Sequence, residues 1–354
     1  DVAAAVEPTD PAGVDDLRDL SVPSSVFGFL TVALATRRFH GIPPFTVMSC
    51  DNIVHNGWVT RTALTSFARH HNADLAEWIE TTVAFPNSMV DRITPATTTA
   101  VIDDVRSDFG IDDGWPVRSE SFSQWVVEDT FSFGRPPFGE VGVQLVADVA
   151  PYEHMKLRLL NGSHQAMSYL GILAGYTHVH EVMASPDLCE FVASYMREEA
   201  APTLAPVDGI DIDSYIEQLL QRFSSLAVRD TLERQIVDAS ARIPKFVLPV
   251  IRDRLAHDRS VEHAALVLAA WCGVHERGDI PMADANAEHL QRLSWEDHDN
   301  PGAFLANPAV FGDLSTSPRL RGAYQRAKRS LQDGGARGAV RRVLEQSVGV
   351  GQPL

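Results

Sequence analysis

The sequence predicts an α/β domain followed by a mainly α-helical domain. The chain has 354 residues, 45% of them hydrophobic, which is enough for a large core and favours two domains over one. The first part mixes helical patterns with short β-branched runs, whereas the apolar pattern from about residue 151 onwards is helical. We therefore predict domains at residues 1–147 and 148–354.

The opening of the first domain predicts a helix, a strand and two further helices. The first helix is "SSVFGFLTVALATRRFHG", which has a serine start, an apolar face, a basic last turn and a glycine stop. A buried strand at 45–50 is predicted from "IPPFTVMSCDN", with Asp51 and Asn52 at its carboxyl end. The next helices are "GWVTRTALTSFARHHN" and "ADLAEWIETTV", and the first 20 residues predict a loop. This order is typical of doubly wound α/β folds, which bind ligands at the carboxyl ends of their strands.

The remaining elements follow from the same reasoning. A small sheet extension is predicted for residues 83–150, from the short extended runs "VAFPNSMVDRITP", "QWVVED" and "VGVQLVADV". A loop is predicted for "NPAVFGDLSTSPRL" near the end. The helices of the second domain are predicted at 152–174, 186–199, 210–224, 226–240, 245–256, 260–275, 283–295 and 316–346.

Composition excludes several classes of function. The net charge of -17 argues against binding to nucleic acid or anionic membranes, and the sequence holds no apolar run of about 20 residues. Cys50, Cys189 and Cys272 are widely spaced, and the acidic start is not typical of a signal peptide, so we expect a cytoplasmic protein. We expect no metal, because C-x-x-C and H-E-x-x-H are absent and the histidine pairs in "RHHN" and "THVHE" are isolated.

An unusual set of polar residues lies in the helix predicted from "PYEHMKLRLLNGSHQAMSYLGILAGY". With α-helical spacing, Glu153, Asn161 and His164 fall within roughly 140° of arc from Lys156, so their polar groups can converge. A desolvated lysine is a usable general base, and an asparagine can donate to an oxygen that gains negative charge. The set therefore suits removal of a proton from an alcohol. The alternative is an ordinary polar face with a Glu153–Lys156 ion pair.

Four separated segments resemble the long-chain mannitol dehydrogenases, a family that includes fructuronate reductases and related polyol dehydrogenases. These segments are "SCDNIVHNG" (49–57), "FPNSMVDRITP" (85–95), "KLRLLNGSH" (156–164) and "SARIPKF" (240–246). The resemblance extends from about residue 20 to the end. It implies a partial Rossmann-type dinucleotide-binding domain, a helical catalytic domain, and metal-independent, NAD-dependent conversion of a sugar alcohol to a ketose, most simply D-mannitol to D-fructose.

The resemblance also implies roles for individual residues. Lys156 is the expected general base in oxidation and the acid in reduction. Asn52 and Asn161 are expected to hold the developing alkoxide, and we expect this site in a cleft between the domains. His164 is expected to bind a substrate hydroxyl, and Glu153 to relay the proton to solvent.

Three weaker assignments concern the substrate. Asp91 is expected to contact the substrate or a neighbouring donor, and the alternative is a structural partner of Arg92 or of the backbone. Arg242 and Lys245 are expected to line the polyol pocket. We further expect a small-molecule substrate, either a polyol or a sugar acid, and a monomeric protein.

The sequence departs from the family at its start. Neither a G-x-G-x-x-G turn nor the acidic residue for the cofactor ribose is present, so we expect the early cofactor-binding strands to be missing. NAD is the expected cofactor, with NADP left open. Two alternatives also remain open: a fructuronate reductase (mannonate oxidoreductase), and a truncated, non-catalytic sugar-binding relative.

Overall fold

A computed structural model describes residues 11–280 and 282–350. Contacts divide the chain into two compact units. The described part of Asp1–Arg92 forms the first unit together with Ser123–Glu153, and Ile93–Phe122 forms the second together with the described part of His154–Leu354. The two units are considered one at a time below.

The elements up to residue 155 are α1 (Pro11–Arg18), α2 (Val26–Phe39), α3 (Asn56–His71), α4 (Ala73–Thr82), β1 (Ser88–Asp91), α5 (Thr99–Phe109), β2 (Gln124–Glu128), β3 (Gln144–Val146) and α6 (Ala150–Met155). A π-helix (Lys156–Asn161) comes next, and then α7 (Gly162–Leu173), α8 (Val179–Met183), α9 (Pro186–Ser194), a second π-helix (Tyr195–Ala200), α10 (Ile212–Phe223), α11 (Leu232–Gln235), α12 (Ala239–Phe246), α13 (Leu248–Ala256), α14 (Glu262–Arg277), α15 (Ala287–Asp299), α16 (Pro308–Phe311) and α17 (Pro318–Val350).

Helices α2, α3 and α4 enclose the core of the first unit. Its buried side chains include Leu34, Leu64 and Ile79, and Val47 from the segment between α2 and α3 packs with them. The serine at the predicted start of α2 acts as expected, because the Ser25 side chain accepts a hydrogen bond from the backbone N–H of Gly28. The predicted helices at the opening of the chain are therefore confirmed.

The predicted sheet extension is present in the first unit. Strand β1 pairs antiparallel with β2, with Ser88 opposite Val127, and β2 pairs parallel with β3, with Val126 opposite Gln144. Val126 and Val127 are fully buried, so the sheet has an apolar centre. Asp91 ends β1, which places its carboxylate at the edge of this sheet.

The strand predicted at 45–50 is wrong. These residues are assigned to no strand or helix, and one backbone bond, from the N–H of Val47 to the carbonyl of Ala84, links them to the segment before β1. A strand requires a ladder of alternating bonds, and an isolated bond does not provide one. Val47 is buried in the core as predicted, and Phe45 packs against the same core, but Cys50 at the end of the run is exposed.

Helix α14 is the centre of the second unit. Every residue from Ala264 to Cys272 is fully buried, which is typical of a helix surrounded on all sides. It packs against α7, α15 and α17. Most helices predicted for this region are confirmed within a few residues of their ends.

Three predictions of secondary structure are wrong in part. The helix predicted at 226–240 is wrong for most of its length, because that range contains only α11 and the first two residues of α12, with Asp238 in a left-handed backbone conformation (φ 52°) before α12. The loop predicted for the first 20 residues contains α1, and its first ten residues lie outside the described part of the chain. The loop predicted before the last helix contains α16 and a short 3₁₀ turn.

A buried ion pair attaches residues 93–122 to the helices of the second unit. The Arg222 guanidinium donates to both carboxylate oxygens of Glu120, at 2.9 and 2.8 Å, and stacks on the Phe122 ring at 3.9 Å. The Glu120 carboxylate also accepts from the backbone N–H of Ile93 at 2.6 Å. Arg222 of α10 thus holds the end of the segment, and Glu120 links the start of the segment to that end.

Candidate active site

In the first unit, a buried asparagine fixes the loop that carries Asn52. The Asn56 side-chain amide donates to the carbonyls of Ser49, Asp51 and Ser88, and its oxygen accepts from the N–H groups of Ser88 and Gly57. These bonds tie residues 49–57 to the start of β1. The sequence analysis quoted this segment but gave Asn56 no role, although an asparagine directly before a helical glycine was the available signal.

Glu153 lies against the same loop of the first unit. Its carboxylate, 4% exposed, accepts from the backbone N–H of His55 at 3.3 and 3.4 Å, and the imidazole of His55 is 3.9 Å away. Burial raises the pKa of Glu153 above its ordinary value, and the His55 contacts oppose that rise. A carboxyl group with a raised pKa is suited to exchanging protons. Asn52 itself is exposed, and Asp91 is buried at the end of β1.

In the second unit, the chain changes from a π-helix to an α-helix within the predicted site. Lys156 and Asn161 lie in the π-helix, and His164 lies in the α-helix that follows it. The segment Lys156–Asn161 is a π-helix, and His164 lies in the first turn of α7. The backbone N–H of Gly162 bonds to the carbonyl of Leu157, five residues earlier. The prediction of one continuous α-helix over 152–174 is therefore wrong in its middle. Because π-helical bonds join residues five apart, Lys156 and Asn161 come closer to one face than α-helical spacing implies.

These side chains are shielded from solvent. Lys156 and His164 are each 5% exposed, and the His164 ring contacts the Phe223 ring at a centroid distance of 4.9 Å. The side-chain oxygen of Asn161 is buried and has no hydrogen-bond partner among the described residues. Buried amide oxygens are nearly always bonded, so this atom is a candidate for contact with a ligand.

A small cavity lies beside His164 in the second unit. It is narrow, with a cavity volume of about 10 Å³, and is lined by Ile93, His164, Val179, His180, Arg222, Phe223, Ser225, Val228 and Asp230. Arg222 of the Glu120–Arg222 pair therefore forms part of the wall next to a predicted site residue. Sequence alone does not reveal this pair, because its partners are about a hundred residues apart and neither lies in a recognisable motif.

The two predicted polyol-pocket residues have different surroundings. The Arg242 guanidinium donates to the backbone carbonyls of Arg234 and Gln235, at 3.4 and 3.2 Å. Lys245 is exposed. Close to Arg242, the Arg234 guanidinium forms a two-pronged ion pair with Asp230 at 2.6 Å.

Residues 11–280 and 282–350 contain neither a metal-binding cluster nor a membrane-spanning helix. No group of three or more His, Cys, Asp or Glu side chains there is placed to hold a metal ion. No helix in that part of the chain is long and apolar enough to cross a membrane.

Comparisons with known proteins agree with the resemblance. The family model described as "Mannitol dehydrogenase Rossmann domain" matches residues 9–139, and "Mannitol dehydrogenase C-terminal domain" matches residues 148–332. The chain belongs to the mannitol dehydrogenase family. Membership confirms the predicted fold class, a Rossmann-type domain followed by a mainly helical domain. The exact boundaries predicted at 147 and 148 stay a prediction.

The chain is similar to curated and solved members of this family. It is 46% identical to a mannitol 2-dehydrogenase of Aspergillus fumigatus over 82% of this chain, and 41% identical to one of Phaeosphaeria nodorum over 92%. It covers 60% and 58% of these two proteins.

Two solved structures match 95% of this chain and 70% of their own chains. One is the Pseudomonas fluorescens mannitol 2-dehydrogenase in ternary complex with NAD and D-mannitol (46% identity, TM-score 0.82). The other is a D-sorbitol dehydrogenase in substrate-free form (31% identity, TM-score 0.86).

Proposed function

We propose that this chain carries the catalytic residues of an NAD-dependent polyol oxidoreductase that interconverts D-mannitol and D-fructose. The observation that carries the proposal is the stretch from Lys156 to His164, in which a buried amine and a buried imidazole accompany the Asn161 side-chain oxygen, which has no hydrogen-bond partner among the described residues. A polyol matches such a stretch, because its hydroxyls both donate and accept hydrogen bonds. The relatives named mannitol 2-dehydrogenase support the choice of substrate.

Lys156 is the proposed general base and acid. The Lys156 amine is buried, and in its neutral form it can accept the proton of the reacting alcohol. In the reverse direction the protonated amine returns that proton to the ketone oxygen. The family's independence from metals fits this role, since the lysine withdraws the proton that a metal would otherwise help to release.

The amides and the imidazole hold the substrate in this proposal. Asn161 donates from its nitrogen to the reacting oxygen, and its side-chain oxygen accepts from a neighbouring hydroxyl. His164 binds a further hydroxyl. Asn52 supplies a second donor to the reacting oxygen, and Glu153 passes the proton onward, as its raised pKa permits. Asp91, Arg242 and Lys245 remain proposed substrate contacts.

NAD is the proposed hydride carrier, in line with the NAD complex of the Pseudomonas fluorescens relative. The residues of this chain do not match the usual pyrophosphate site, because its 354 residues contain no G-x-G-x-x-G turn. We therefore assign no residue to the cofactor and derive only the handling of the proton and of the substrate hydroxyls.

The decisive experiment measures NADH formed from D-mannitol and NAD by the parent and by Lys156→Ala. We expect a loss of at least ~10³-fold in turnover, within the usual range for a general base. Small primary amines should restore part of the rate in proportion to their basicity. D-mannonate, tested in parallel, distinguishes a sugar-acid oxidoreductase from a polyol dehydrogenase.

Lys245→Ala is the comparison variant, because it removes an exposed amine from the same unit. We expect it to raise KM without the collapse of turnover, since it is proposed to bind substrate only. A Lys156→Ala protein with the parent's rate and pH profile would refute the proposed mechanism. A parent that neither turns over nor binds D-mannitol or D-mannonate in calorimetric titration would refute the proposed function.

We also propose that the protein is a cytoplasmic monomer. Cys50, Cys189 and Cys272 are all free thiols, which fits a reducing compartment. Light scattering after size-exclusion chromatography tests the monomer, and a dimeric mass would refute it.

A further inference from the structure

The π-helix at Lys156–Asn161 places a catalytic amine and a catalytic amide five residues apart on nearby positions of one face. An α-helix with the same sequence would separate them by more than a quarter turn. A π-helix is rare and is seldom maintained without support from its surroundings. The residues that hold this segment in π geometry therefore control where Lys156 points.

Tyr195 lies against Gly162, directly after the end of this segment. A Cβ atom added to Gly162 would lie 2.8 Å from the Tyr195 hydroxyl oxygen and 3.4 Å from its Cε1 atom. The backbone carbonyl of Phe246 closes the same side at 3.5 Å. Gly162 is the residue whose N–H makes the five-residue bond to Leu157, so the tyrosine ring rests on the point where the π-helix passes into α7.

The packing around Tyr195 fixes the position of its ring. Its side chain is fully buried, and it is the first residue of the second π-helix, which packs against the first. Its hydroxyl has no hydrogen-bond partner among the described residues, so the ring acts by its shape. Within the first π-helix, the Arg158 guanidinium donates to Asp253 at 2.6 Å and to the carbonyl of Thr203 at 2.8 Å.

We propose that Tyr195 is a positioning residue for the reaction: its ring, seated against Gly162, keeps the Lys156–Asn161 segment π-helical and so directs Lys156 and Asn161 to the substrate. This inference rests on the proposed function. The inference goes beyond the proposed function, because it assigns a positioning role to Tyr195 and Gly162, which are not among the proposed catalytic residues.

The test is a rescue series of Gly162→Ala, Tyr195→Phe and the double variant. The added methyl of Gly162→Ala must displace either the ring or the π-helix, so we expect turnover to fall more than tenfold. Tyr195→Phe alone should stay within about threefold of the parent, because the hydroxyl bonds to no described residue. The double variant removes the atom that the methyl meets at 2.8 Å and leaves the next at 3.4 Å, so it should recover most of the lost turnover.

Gly171→Ala is the matched control on α7. Its added methyl would meet Val182 and Leu232 side chains at 2.6 and 2.8 Å, far from the π-helix in sequence. It should lower the melting temperature without changing the pH profile of turnover. Gly162→Ala should shift that pH profile, because it moves the proposed acid–base group.

Side-chain NMR of Lys156 and Asn161 supplies a readout that does not depend on turnover. We expect both signals to shift in Gly162→Ala and to return toward the parent in the double variant. Unchanged signals in Gly162→Ala, or a double variant as perturbed as the single one, would overturn the positioning role. If the parent neither turns over nor binds either substrate, the proposed function fails, and the NMR series still decides whether Tyr195 holds the segment.

Discussion

Replacing Glu120 by leucine removes one half of the buried ion pair that attaches residues 93–122 to α10. Both side chains are 6% exposed, so Arg222 would keep its charge in a place with little access to water. Breaking a buried pair from one side costs roughly 3–5 kcal/mol, because the remaining buried charge loses the opposite charge of the pair. We expect Glu120→Leu to fall in that range, with a further contribution from the lost bond to the N–H of Ile93.

The segment itself offers little to offset this loss. Helix α5 has no buried residue, so apolar packing of α5 contributes little to its attachment. The expected consequence is local: the backbone amides of Thr99–Phe109 should exchange with deuterium much faster in Glu120→Leu than in the parent. Detachment of residues 93–122 from α10 would also enlarge the cavity beside His164, since Arg222 and Phe223 line that cavity.

Urea unfolding and hydrogen exchange of Glu120→Leu, Arg222→Met and the double variant measure these effects. The double variant should be less destabilised than the sum of the two single variants by at least about 2 kcal/mol, because neither charge is then left alone. Asp112→Asn is the control within the same segment. Its ion pair with Arg106 is exposed, so its loss should cost less than about 1 kcal/mol. Single variants as stable as this control, with unchanged exchange, would refute the reasoning.

Two further predictions concern stability. Burial lowers the pKa of His275 to about 4, so its folded form stays neutral while the unfolded form takes up a proton below its ordinary pKa of 6.5. Stability should therefore fall as the pH drops from about 6.5 toward 4, by about 2 kcal/mol at about pH 5, and His275→Phe should remove this part of the slope in urea titrations. Gly57→Ala would bring a Cβ to 2.5 Å from the carbonyls of Phe85 and Pro86, which are backbone atoms and yield little. It should lower the free energy of unfolding by about 1–3 kcal/mol, whereas Gly114→Ala, with open space around it, should leave that energy unchanged.

Periodicity predicted the helical unit well because its helices are long and their apolar faces are regular. The helix predicted at 260–275 is α14 at Glu262–Arg277, and the last helix is α17. Prediction failed where an apolar segment packs in the core without pairing its backbone with a neighbouring strand. The run at 45–50 is apolar and β-branched, as a strand would be, but its burial comes from packing against α2, α3 and α4 and not from a ladder. The pattern reports burial, and burial alone does not distinguish these two outcomes.

Resemblance supplied the candidate site residues, and the structure adds the contacts that hold them. Asn56 illustrates what local pattern cannot show, because its partners at Ser49 and Ser88 come from segments brought together by folding. Glu120 is a similar case, with its partner Arg222 more than a hundred residues away. Pattern reasoning has no access to such pairs. They are also the contacts whose removal leaves a buried polar group unpaired, so they deserve testing first.

The π-helix at Lys156–Asn161 shows why spacing along the sequence can misplace side chains relative to one another. Spacing arguments assume about 100° per residue, and on that basis Lys156 and Asn161 are roughly 140° apart. Only Asn161 in "KLRLLN" has a low helix propensity, and the other five residues favour an α-helix, so local propensity does not predict a wider turn. The departure comes from tertiary packing: Tyr195 occupies the space beside Gly162, and Arg158 is drawn to Asp253. The geometry of the proposed catalytic pair, Lys156 and Asn161, is thus set by residues outside the segment, which is why substitutions at Gly162 and Tyr195 test the proposed mechanism as directly as substitution of the lysine itself.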